Sequence, residues 1–64
     1  MTPEWIVLTD ELGDELRVHV SHVAVFRPTN KKGCKALLSI DGHIVPVKET
    51  VTEIMLLIQG EEIP

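Results

Sequence analysis

Sixty-four residues, 44% of them apolar, with a formal charge of −4, permit one domain over 1–64 and exclude intrinsic disorder. A chain of this size buries only about 60% of the surface its unfolded form exposes, so self-association into a homo-oligomer is expected. One cysteine excludes an internal disulfide and fits a reducing, cytoplasmic setting, and net acidity argues against generic nucleic-acid binding.

Trp5-Ile6-Val7-Leu8-Thr9 is β-branched and aromatic and predicts a first strand over 5–9. Asp10 to Asp14 is a turn in which Gly13 supplies a positive φ. Leu16, Val18 and Val20 then alternate with Glu15, Arg17 and His19, the period-two pattern of a half-buried strand over 15–20. Ser21-His22 interrupts that run, and a third strand, 22–27, should stop at Arg27-Pro28, because proline offers no amide to the ladder.

A polar, basic loop from Thr29 to Gly33 leads into a fourth strand, 34–40, with Cys34, Ala36, Leu38 and Ile40 on one face. Asp41-Gly42 is a two-residue hairpin signal, and 43–48 returns as the fifth strand. Pro46 places that strand at an edge or a bulge. The period then changes. Thr50-Val51-Thr52-Glu53 forms a capping box, and Val51, Ile54, Met55 and Ile58 mark one stripe of a helix over 51–59, closed by Gly60. The fold class is therefore mainly β (α+β): about five antiparallel strands in a curled sheet or half-barrel, with one C-terminal helix. The expected core is Ile6, Leu8, Leu16, Val18, Val23, Val25, Ala36, Leu38, Ile40, Val45, Val47, Val51, Ile54 and Ile58.

Met55, Leu56, Leu57 and Ile58 make the second half of the helix apolar nearly all round. A helix on a small sheet hides one face, so these residues either meet a partner, such as a second copy, or are wrapped on two sides by a curled sheet. The run Ile54 to Ile58 is far shorter than the ~20 residues that span a bilayer, and no basic stretch followed by an apolar one opens the chain. Neither membrane insertion nor secretion is expected.

Charge is segregated. Residues 1–15 carry acids and no base, whereas 16–40 carry Arg17, Arg27, Lys31, Lys32 and Lys35 and no acid. Those five cations either form a patch for nucleic acid or lie on solvated strand faces and pair with the acidic flanks.

Chemistry has little foothold. Ser21, Ser39 and Cys34 sit in no glycine-flanked elbow, and Cys34 falls on an inward strand face where a thiol behaves as a small hydrophobe. His19 and His22 would point to opposite faces of a continuous strand, so they meet only if Ser21 reverses the chain. No CxxC or HxxxH spacing supports a closed metal site, and no glycine-rich phosphate loop is present. No enzyme activity, metal or cofactor is expected. Trp5 and Phe26 are too few for a base-stacking platform, and Phe26 reads as core.

Taken together, Val7-Leu8-Thr9, the Gly13 turn, Val18-His19-Val20, the run from Ser21 to Pro28 and the close Val47-Lys48-Glu49-Thr50-Val51-Thr52-Glu53-Ile54 resemble the FlbD-type flagellar and swarming-motility family. The resemblance covers residues 5–58 and implies a non-enzymatic accessory protein with a protein partner and no cofactor. Two other groups are similar in outline. CsrA-type RNA regulators share the size, the strand count, the final helix and a dimeric habit. LytTR-type DNA-binding domains share the run from His22 through Asp41-Gly42 to the capped helix. Both keep a small nucleic-acid-binding regulator, using the basic segment 17–35, as the alternative.

Overall fold

The computed structural model describes residues 3–60, and its elements follow the order β1 (Trp5–Thr9), β2 (Glu15–His19), a 3-10 turn (Val20–His22), β3 (Val23–Pro28), β4 (Ala36–Ile40), β5 (His43–Val47) and α1 (Val51–Ile58). The chain is mainly β, with five antiparallel strands and one C-terminal helix. The strands divide into a β1-β2 hairpin and a three-stranded sheet of order β3-β4-β5, and neither sheet closes into a barrel.

The period-two alternation becomes two faces. In the hairpin, Ile6 opposes Val18 and Leu8 opposes Leu16 on the inner side. Ala36, Leu38 and Val47 supply the inner side of the other sheet, and Ile54 drops from α1 into the space between. Ala36, Leu38, Val47 and Ile54 have no exposed surface. Leu16, Val23, Ile40, Val45, Val51 and Ile58, also expected in the core, are half-buried and pack against it. The fourth strand, expected over 34–40, begins only at Ala36, because the Cys34 amide closes a turn onto the Lys31 carbonyl at 3.0 Å; Cys34 lies in the loop before β4 and is buried there.

Val25 is the exception: it was expected in the core and is 57% exposed. Val23 pairs with Ile40, yet Val25 pairs with Ser39, so two steps along β3 match one step along β4. Ala24 is thus an extra residue, a β-bulge, and a bulge exchanges the two faces of everything beyond it. Phe26, opposite Leu38, turns inward instead and packs on the core.

The boundaries shift for local reasons. The second strand stops at His19 because its imidazole accepts from the Ser21 amide and caps the 3-10 turn. Pro28 belongs to β3 as its last residue, which an edge strand tolerates. Pro46 likewise lies in β5, the other edge. At the β4–β5 turn both Asp41 (φ 49°) and Gly42 (φ 83°) are left-handed, the geometry of a type I′ hairpin whose twist matches its strands. The capping box of α1 is complete: Thr50 Oγ1 accepts from the Glu53 amide, and the Glu53 carboxylate accepts from the Thr50 amide.

One joint ties the sheets together. The Lys48 amide donates to the Thr9 carbonyl at 2.9 Å, and Asp10 and Val47 form a lone bridge. The Glu49 carboxylate accepts from the Thr9 amide at 2.8 Å and from the Thr9 hydroxyl at 2.9 Å. The two sheets therefore share one core and are fastened where β1 ends and β5 ends.

Candidate interaction surface

The inner faces of both sheets are spent on the core, so recognition falls to the outer faces, the helix and the turns. On β3, β4 and β5 the outward residues fall into two cross-strand rows: Val25, Ser39 and Ile44 in one, Arg27, Leu37 and Pro46 in the other. Ser39 is the smallest of the six and stands between Val25 and Ile44, which are 57% and 61% exposed. The short side chain leaves a notch of about 230 Å³, walled by Val25 and Ile44 and bordered by Leu37 and Arg27. Among the described residues Arg27 has no ion-pair partner. An apolar notch with one unpaired guanidinium at its corner suits an aliphatic side chain that sits beside a carboxylate.

The outer face of the hairpin carries Trp5, Val7 and Arg17 around a hollow of about 420 Å³. Its guanidinium already has a partner, and its indole already packs on a ring. Arg17 Nε donates to Glu15 at 2.8 Å, and Trp5 meets the His19 ring edge-on at 4.8 Å.

The five cations are distributed over several elements. Arg17 belongs to the hairpin face and Arg27 to the notch, while Lys31, Lys32 and Lys35 lie exposed between β3 and β4. Lys31 Nζ sits 2.7 Å from Glu11 Oε2 in the β1–β2 turn. That hydrogen bond, and then the charge of Glu11, raise the Lys31 pKa above its ordinary 10.5. Two of the five thus pair with acids, which weakens a continuous basic surface.

The helix residues also separate. Leu57 and Ile58 pack against the core, Leu56 is half-buried, and Met55 is 44% exposed. The core shared by the two sheets therefore takes up part of the wide apolar stripe, and Met55 is the apolar residue that α1 leaves exposed to solvent.

The 3-10 turn interrupts the extended chain at Ser21, and the His19 and His22 rings meet edge-on at 5.5 Å. Among the described residues no group of three or more His, Cys, Asp or Glu is placed to hold a metal ion. Serine, histidine and aspartate come together without forming a relay. The Ser21 hydroxyl reaches His19 Nδ1 at 2.7 Å, whereas the Asp41 carboxylate accepts from His22 Nδ1 at 2.9 Å. The acid orients one imidazole and the serine addresses the other.

The β1–β2 turn was read as punctuation and carries more. Leu12 at its tip is 80% exposed, preceded by Glu11 and followed, after Gly13, by Asp14. The Asp10 carboxylate accepts from the Leu12 and Asp14 amides, each at 2.9 Å. The Gly13 amide donates to the Asp10 carbonyl at 3.1 Å, with Gly13 at φ 89°. An aliphatic residue that turn chemistry does not require, in an otherwise acidic and polar turn, was the sequence signal for this feature. The bulge that turns Val25 outward left no such signal.

No helix among the described residues is long and apolar enough to cross a membrane. Compared with protein families, curated proteins and solved structures, the chain finds no match.

Proposed function

We propose that this chain is a non-enzymatic protein-interaction module that self-associates, an accessory protein of the kind its resemblance to the FlbD-type family implies. The observation that supports this reading is the outer face of β3-β4-β5, where the apolar side chains of Val25, Leu37 and Ile44 border the Ser39 notch. Apolar side chains on a solvent-facing sheet gain free energy when a partner covers them, at roughly 25 cal/mol per Å² removed from water. A domain this small gains stability by the same association.

Sedimentation from micromolar to millimolar concentration tests the reading. The mass is expected to rise above the 7.1 kDa of one chain. Ile44→Lys and Val25→Lys, both at exposed positions, are expected to return it to that value with the circular dichroism spectrum unchanged. A wild-type mass of one chain throughout, or a rise indifferent to both substitutions, overturns the proposal.

A further inference from the structure

The notch and the β1–β2 turn have complementary chemistry. What the notch accommodates is a protruding side chain, and Arg27 selects one with an acid beside it.

The chain itself carries such a group. Leu12 is the most exposed large apolar residue among the described residues. Its turn is fixed by Asp10 through two side-chain hydrogen bonds and by the Glu11–Lys31 ion pair, so little conformational freedom is lost when it docks. The neighbouring Asp14 has an exposed carboxylate with no ion-pair partner among the described residues, the counterpart of Arg27.

We infer that Leu12 of one copy inserts into the Ser39 notch of a second, with the Asp14 carboxylate pairing to the second copy's Arg27. This rests on the self-associating reading above and assigns its contact. The contact joins unlike elements, turn and notch, and a two-fold dimer makes it twice because every copy owns both. Val25 and Ile44 enclose the Leu12 side chain, and the ion pair fixes the direction in which the turn enters.

Charge exchange supplies the test. Arg27→Glu sets an acidic notch against an acidic turn, and Asp14→Lys sets a basic turn against a basic notch. Each variant alone is expected to sediment at the mass of one chain. An equimolar mixture is expected to regain the wild-type mass, because each variant's turn then faces a notch of opposite charge. Leu12→Ser is expected to abolish association with or without the charge exchange. A mixture that stays at one chain's mass, or a Leu12→Ser variant that associates as wild type does, overturns this contact while wild-type association leaves the broader reading standing. A wild-type chain that never associates overturns both.

Discussion

On the outer face of the hairpin, Arg17 pairs with Glu15 and Trp5 lies edge-on to His19. On the outer face of the three-stranded sheet, Arg27 has no such partner among the described residues and Ser39 leaves a gap between its neighbours. Exposure does not separate the two, since Val7 at 51% and Ile44 at 61% are similarly open to solvent. The hairpin hollow even has the larger volume. The difference lies in what the polar groups at each rim have left to do. A guanidinium already held by a carboxylate gains little from an incoming one, whereas an unpaired guanidinium beside apolar walls gains a charge-assisted hydrogen bond as the walls dry. Exposed apolar area marks where binding is possible, and an unpaired polar group indicates what binds.

The contrast between the outer faces presumes that the inner faces belong to one cooperative unit, and the largest predicted effect tests that premise. Leu38, in the middle of β4, has no exposed surface. Leu38→Ala removes its packing and leaves a cavity, a cost of about 3 kcal/mol. In a domain whose total stability is a few kcal/mol, melting falls by roughly 15 °C or the fold is lost outright. Trp5, the single tryptophan, lies in the other sheet and reports on it by fluorescence. Its transition is expected to move together with the circular dichroism melt. A Trp5 transition that does not move would mean that the hairpin folds apart from the sheet.

How far the sequence announces these features depends on whether the determinant is local. Strand alternation, the Asp41-Gly42 turn and the Thr50–Glu53 box each depend on residues a few positions apart, and all appear where the pattern places them. The bulge at Ala24 does not work that way. Its extra residue is defined only against β4, through the pairing of Val23 with Ile40 and Val25 with Ser39, so single-strand periodicity assigns Val25 to the wrong face. The notch inherits that difficulty, because it needs Val25 outside and Ser39 beside it. The division into two sheets also depends on long-range bonding, the meeting of Thr9 with Lys48 and Glu49. Leu12 was legible as an oddity of composition, although its rigid display needs the Asp10 hydrogen bonds.

That joint gives the second prediction, of intermediate size. Glu49 accepts two hydrogen bonds from Thr9, one from the backbone and one from the hydroxyl, in a half-buried position. Glu49→Gln keeps the shape, removes the charge and turns one acceptor into a donor. The expected loss is about 1–2 kcal/mol in chemical denaturation. The joint lies away from the notch, so association per folded molecule should be unaffected, whereas Ile44→Lys should change association and leave stability nearly alone. If Glu49→Gln dispersed the oligomer without destabilising the fold, the division of labour between joint and face would fail.

The smallest effect concerns the only side-chain ion pair linking the β1–β2 turn to the β3–β4 loop among the described residues, Glu11 with Lys31. Glu11 raises the Lys31 pKa in the folded chain above 10.5, chiefly through the hydrogen bond and then through its charge. Folding therefore favours protonated Lys31. The contribution is complete below the unfolded value near 10.5 and disappears as pH rises through the raised folded value. Because the pair is exposed, salt screens it, and Lys31→Met should lower the melting temperature only slightly at neutral pH. That difference from wild type should close at pH values above the folded pKa and shrink in high salt. Its persistence in strong alkali would assign the effect to packing of the lysine stem and leave the Leu12 turn held by Asp10 alone.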